Sequence, residues 1–269
     1  MRQVRLGVAG RLALAGLVGF ALVAVGAALG LYAGEYARAV GPEHLSPGPG
    51  AWLGTDALGR DLLARAVQGA RVSLAVGGGA ALGIVAIGGL LGALAGLRGG
   101  WTDRLLSGLT DAVAAVPPIV VLLGAALVLA PGVSTAIAAI ALTQWAGVFR
   151  GVRAEALRLR AADHDRAAVA MGAGVVHRIR WHLLPRLRPL LITALVLSFV
   201  YAVKVEALLA YFGASAQDLP SWGRLLAESG SELARGIWWP TAAASVPLAL
   251  LVLCAQVLAD RLSDGEPGG

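Results

Sequence analysis

The chain has one cysteine, one lysine and few charged residues, and each shortage closes off a class of function. Cys254 stands alone in an apolar run, so neither an intrachain disulfide nor a cysteine-based metal cluster can be built from it. Lys204 is the only lysine among 22 basic residues. A phosphate-cradling P-loop needs Gly-Lys-Ser/Thr at a helix start, so the run Gly77-Gly78-Gly79 encodes no nucleotide site. Charged residues make up only 14% of the chain, well below the share of a soluble domain. That excludes a water-soluble fold of ordinary composition.

What remains is strongly apolar, with 58% hydrophobic residues and a mean hydropathy of +0.75. Crossing a hydrocarbon core about 30 Å thick takes about 20 apolar residues, and backbone groups there must bond internally, which selects helices. The expected fold is therefore all-α, a polytopic membrane protein with six transmembrane helices. Its lipid bilayer surroundings explain the hydrophobicity. The excess of arginine, net charge +6, reads as loop charge that sets orientation and not as a nucleic-acid surface.

The spans are expected at Leu12–Tyr32, Val72–Leu97, Leu105–Ala130, Val133–Phe149, Leu190–Phe212 and Thr241–Leu258. Residues 1–11 form a basic N-terminal tail, and 12–34 hold the first helix, whose apolar run is too long for a signal peptide. Residues 35–71 are an external loop leading into a short amphipathic helix, 72–260 a core of five spans, and 261–269 a tail. Gly26, Gly30 and Gly34 form one small-residue stripe, and Gly79, Gly83, Gly88, Gly92 and Gly96 another, each suited to close helix contact. Pro117-Pro118 should break the third span, because proline removes a backbone hydrogen bond. In the external loop, Thr55 or Asp56 is expected to cap a helix beginning near Leu58. Trp222, Trp238 and Trp239 are expected at the membrane interface.

Six spans put both termini on one side, and arginine counts choose which. That side carries Arg2, Arg5 and Arg11, Arg98 and Arg104, nine arginines in 150–188, and Arg261, against six on the other side. Positive charge collects in the cytoplasm, so the termini and the polar segment 150–189 are expected there. Lys204 and Glu206 fall within the fifth span, where an ionised group costs several kcal/mol unless it faces protein or water. Two readings stay open: one of the two lines a translocation path, or Glu206 pairs with another helix while Lys204 snorkels.

Several motifs, in order, resemble the permease subunits of bacterial ABC importers, in particular the C-type permease of the dipeptide, oligopeptide and nickel branch. Gly54-Thr55-Asp56, Gly59-Arg60-Asp61, Arg65, Gly69-Ala70-Arg71 and Ser73-Leu74 resemble the stretch before that family's second span. Asp103-Arg104 with Asp111 and Pro117, Glu206-Ala207 with Phe212-Gly213, Pro220-Ser221-Trp222-Gly223 and Trp238-Trp239-Pro240 resemble later family positions. The family's Glu-Ala-Ala, three residues, Gly and a later Leu-Pro is matched by Arg166-Ala167-Ala168, Gly172 and Leu184-Pro185. Asp163, Asp165 and Ala173 flank it, and Arg166 replaces the family's Glu.

The resemblance implies a type I importer permease fold with a cytoplasmic coupling helix in 150–189. It also implies a subunit that catalyses nothing itself and binds no cofactor. The implied partners are a B-type permease, two ATPase subunits holding ATP and magnesium, and an external solute-binding protein. Small apolar Ala167, Ala168, Ala170 and Met171 suit a helix-in-groove contact, while an amphipathic helix lying on anionic lipid is the plainer reading. The rival classes are a secondary transporter driven by an ion gradient through Lys204 and Glu206, and a non-transporting scaffold.

Overall fold

The computed structural model describes residues 7–129, 131–215 and 219–263. Arg2, Arg5, Ala130 and the tail beyond residue 263 lie outside the described residues. Among those described the chain is helical, with three isolated β-bridges and no strand. Four helices are long and apolar enough to cross a membrane, and two bent helix pairs raise the count to six, as the hydropathy implies.

The first helix, α1 (Val8–Ala28), stops before the end of the expected glycine stripe. Gly30 follows with φ +71°, a left-handed conformation that glycine adopts freely. Tyr32 folds back so that its hydroxyl donates to the Val23 carbonyl at 2.6 Å, and its ring fills the space beside Gly26. Gly26, Gly30 and Gly34 therefore form no packing stripe: they accommodate a chain reversal.

The second glycine series does what its spacing suggests. Helix α2 (Leu62–Arg98) has 37 residues, about 55 Å at 1.5 Å per residue. It absorbs the amphipathic helix that was expected to stand apart before residue 71. One side of α2 receives the bent pair α5 (Val133–Gln144) and α6 (Ala146–Ala161). A Cβ on Gly79 would lie 2.7 Å from Ile137, and one on Gly83 2.7 Å from the Ala141 methyl. On Gly88 and Gly92 it would meet the carbonyl oxygens of Trp145 and Phe149, both at 2.6 Å. These approaches admit no side chain, so the glycines set the interhelical distance.

Before that pair, α3 (Gly100–Ala115) and α4 (Pro118–Val128) meet at 83°, which is the break required by Pro117-Pro118. The α5–α6 pair bends by 46° at Trp145 and then continues to Ala161, twelve residues past the expected end at Phe149. The start of the polar segment is thus an extension of the fourth span. After α7 (Asp163–Ala170) and α8 (Val175–Arg178), a π-helical turn at Ile179–Leu183 leads into α9 (Leu184–Tyr211). Pro185 stands in the first turn of α9, and the wider π turn before it leaves room for a ring that would clash with a regular i−4 carbonyl, so α8 runs on into α9. The loop expected from Gly213 to Trp239 contains a further helix, α10 (Trp222–Leu233), and the last helix is α11 (Trp239–Ser263). The largest core cluster runs along α2 from Val72 to Leu97 and includes Ile140, Val152, Leu159, Leu183 and Leu209.

Gly92→Ala should destabilise the purified protein by about 1–3 kcal/mol, the usual cost of overpacking. Gly78→Ala, where a Cβ meets nothing within 4 Å, should be neutral or stabilising because alanine favours the helix. Thermal unfolding in detergent checks both, and equal effects at the two positions would contradict the close-contact account.

Candidate functional site

The sequence singled out the polar segment, and the structure makes a small hinge-locked unit of it. Ala162 (ψ 142°) leaves helical geometry after α6, and α7 then runs for eight residues with Asp163 and Asp165 in its first turn. Carboxylates there suit the positive end of the helix dipole. At the other end Gly172 has φ +87°. Its N–H donates to the Val169 carbonyl and that of Ala173 to the Ala168 carbonyl, both at 2.9 Å, the double bond of a Schellman stop. Gly172 is needed there for its left-handed backbone, since a Cβ would meet nothing within 4 Å.

Asp165 and Ala168 form the inward face of α7. Asp165 accepts from Nε of Arg178 at 2.9 Å and from a terminal guanidinium nitrogen of the same residue, a fork-to-fork pair that ties α7 to α8. His182 Nδ1 lies 3.5 Å from the same carboxylate. The Arg178 hydrogen bond holds the Asp165 carboxyl below its ordinary range, against the opposing effect of desolvation. With a lowered folded pKa, this stabilisation is full above the unfolded value of about 3.9 and is lost as pH falls through the folded one. Asp165 is thus turned inward and engaged by Arg178, and does not share the outer face with Arg166.

That outer face carries Arg166, with 68% of its side chain exposed and 3.8 Å from Asp163, together with Ala167, Ala170 and Met171, the last 83% exposed. Ala168 is turned inward, which removes it from the expected apolar docking surface. Leu184 and Pro185 are exposed, and the buried residue at that corner is Leu183. His164, His177 and His182 surround a cavity of about 550 Å³ that Ala168 and Gly172 also line. Arg178 was not legible in advance as a partner for Asp165, because no spacing rule links residues across a turn.

The other motif-rich end is a clasp. Thr55 is fully buried, donating to the Pro42 carbonyl at 2.7 Å and accepting the Leu45 N–H at 2.8 Å. Asp56 accepts the N–H groups of Leu58 and Arg60 at 2.9 Å, the Arg60 Nε at 2.7 Å and Arg65 at 2.6 Å. Burial opposes its ionisation, but those donors outweigh it and hold the carboxyl below its ordinary range. Neither residue caps a helix at Leu58. Asp61 caps α2, accepting from Leu63 N–H, because Gly54 (φ +79°) and Gly59 (φ +70°) first turn the loop back on Leu45 and Gly41.

Arg65 also reaches Glu228 of α10 at 2.7 Å, and Arg60 does so at 3.2 Å. Ser221 caps α10, and Gly223 lies against the Ala207 backbone of α9. Trp222, expected at the membrane interface, is fully buried, and its Nε1 donates to the Ala66 carbonyl at 2.8 Å. The reason is Gly69, whose missing side chain leaves a slot for the indole. Trp238 is exposed, while Trp239 donates to the Thr55 carbonyl at 3.3 Å.

Glu206 and Lys204 part company. Glu206 is fully buried and accepts from Ser73 of α2 at 3.0 Å and from Ser215 at 3.3 Å. Lys204 is exposed on another face of α9. Asp103 pairs with Arg153 at 2.5 and 2.7 Å, clipping α3 to α6, while Asp111 lies 3.2 Å from exposed Arg150.

Comparison with known proteins agrees with this geometry. The family model for binding-protein-dependent transport system inner membrane components matches residues 88–265. A dipeptide transport system permease protein of Bacillus subtilis is 30% identical over 258 residues, covering 94% of this chain and 81% of its own length. The protein of the same description from Alkalihalophilus pseudofirmus is 34% identical over 261 residues, covering 94% and 84%. A putative peptide permease of Brucella suis is 33% identical over 215 residues, covering 79% and 71%. Among solved structures, the inward-facing MetNI methionine ABC transporter matches with a TM-score of 0.61 at 21% identity, over 76% of this chain and 97% of that one, which supports the type I importer fold. The chain belongs to the family of binding-protein-dependent transport system inner membrane components, as a multi-pass, non-catalytic ABC importer permease of the peptide branch.

Proposed function

We propose that this chain forms half of a peptide-translocating pathway whose other half is a B-type permease. Two separate ATPase subunits bind ATP and magnesium and hydrolyse the nucleotide, and an external binding protein delivers the solute. Di- and oligopeptides are the favoured solutes, in line with the relatives' descriptions, and nickel or another small solute falls within the wider branch. Both termini and α7 face the cytoplasm in this reading, consistent with the arginine distribution. The ion-gradient reading is disfavoured, because Glu206 is enclosed by serine hydroxyls and lies apart from the Lys204 face.

The observation that carries the proposal is the construction of α7. It is a short helix with a Schellman stop at one end, tied from inside by Asp165 to Arg178, and it presents Arg166, Ala167 and Met171 outward. Such a unit transmits displacement as a lever because its internal bonds resist deformation. When paired ATPases close on ATP, α7 moves with the groove that holds it. Its tie to α8, which is helically continuous with α9 through the π turn, passes the motion to the spans.

Four substitutions test the lever. Gly172→Val imposes a side chain on a left-handed backbone and should abolish substrate-stimulated ATP hydrolysis and uptake in the reconstituted importer. Gly174→Ala, at φ −72°, should spare both. Full activity in Gly172→Val would sink the coupling role. Asp165→Asn leaves the buried Arg178 charge uncompensated and should cost about 3–5 kcal/mol of stability in thermal unfolding. Arg166→Glu should reduce ATPase co-purification if the partner groove is matched to arginine, and unchanged or improved recovery would refute that match.

A further inference from the structure

Helix α9 has two working faces. Phe199, Val203 and Glu206 lie against α2: a Cβ on Gly77 would be 2.5 Å from Val203 and 2.9 Å from Phe199, and Ser73 donates to Glu206. A second face carries Arg186, Leu190, Thr193, Leu197 and Tyr201, spaced by threes and fours, and it lines a groove of about 650 Å³. That volume falls within the range of small-molecule sites. The opposite wall comes from the bent α5–α6 pair, including Gln144, Gly151 and Glu155.

One unpartnered polar group lines this groove, and a second lies beyond its lining on the same helix face. Gln144 sits where α5 bends into α6, and its side-chain Nε2 is enclosed with no hydrogen-bond partner among the described residues. Lys204 follows Tyr201 by three residues, which on a helix continues the same face. It is exposed, and among the described residues it makes no hydrogen bond or ion pair. An ionised lysine two turns from the end of a membrane helix is costly unless water or an anion meets it.

We propose that the Arg186-to-Lys204 face of α9, with Gln144 opposite, is this chain's contribution to the solute path. Lys204 receives a carboxylate of the solute, and Gln144, about 16 Å further along α2 at 1.5 Å per residue, donates to one of its carbonyl oxygens as it passes or where an oligopeptide spans both. A peptide carries both groups. The proposal rests on the importer reading and deepens it, by assigning the solute contacts to one groove and excluding Glu206 from them. Gln144 at the bend also places a solute contact where the α5–α6 angle would change.

The test uses the assembled complex with its ATPases, in which Cys254→Ser removes the native thiol. Tyr201→Cys, Leu197→Cys and Leu195→Cys are then introduced singly. Leu195 lines a different, apolar groove with Leu17, Leu74 and Ala255. The probes are an anionic sulfonatoethyl and a cationic trimethylammonioethyl methanethiosulfonate. Positions 201 and 197 should label and position 195 should not. At Tyr201→Cys the anionic reagent should lose about tenfold of its advantage over the cationic one when Lys204→Gln is added, the effect of removing a nearby unpaired charge at low dielectric.

Equal labelling at 195, 197 and 201 would overturn the path assignment. An unchanged reagent ratio after Lys204→Gln would show that a carboxylate of the second permease already neutralises Lys204, and would overturn its role as solute receptor. Leu197→Cys supplies the same ratio should Tyr201→Cys fail to fold. ATPase recovery in the same preparation is scored separately, so failure of the importer reading is distinguishable from failure of the path.

Discussion

Close approach of α2 to the α5–α6 pair is the constraint on which the rest of the structure depends. At Gly88, Gly92 and Gly96 the space for a Cβ is already taken by backbone atoms of α6 or by the Ala156 methyl. In lipid there is little hydrophobic force between helices, so contact of this kind supplies much of their adhesion. Because α2 is approached so tightly on one side, it can take α9 on another, again through a glycine, Gly77. The 37-residue helix becomes a central post, with the α7 unit near one end and the α10 clasp at the other.

The two ends are fastened by buried ionic groups of similar chemistry and different geometry. Near α7 a single fork-to-fork pair, Asp165 with Arg178, joins elements 13 residues apart in sequence. At the clasp, Asp56 and Glu228 share Arg60 and Arg65, joining the loop, α2 and α10 across more than 160 residues. Pairs of this kind contribute modest net stability but are costly to break, because the surviving charge is left buried. They fix where a short helix sits, α7 against α8 at one end and α10 against α2 at the other.

Much of this was legible in the sequence, for definite reasons. Hydropathy implied six crossings, the proline pair located the break after α3, and the Gly79-to-Gly96 series located a close helix contact. The Ala-Ala, Gly and Leu-Pro spacing located α7 and its stop. Other expectations failed where local chemistry had competing solutions. Asp56 has the right oxygens to cap a helix, yet two left-handed glycines turn the loop and leave Asp61 to cap it. Trp222 has the amphipathic character of an interfacial residue, yet Gly69 opens a buried slot for it. The Gly26, Gly30 and Gly34 spacing has a helical period, but the helix ends inside it.

Composition and spacing by themselves determined the membrane class, the number of crossings and the position of the polar segment between them, because those follow from hydrocarbon thickness and backbone hydrogen bonding. Tertiary structure alone decided what each charged side chain faces. Nothing in the sequence distinguishes Asp165 turned inward to Arg178 from Asp165 turned outward, or assigns Glu206 to α2 and Lys204 to an exposed face. Facing depends on which neighbour a helix presents at that height, and the neighbours come from segments tens to more than a hundred residues away.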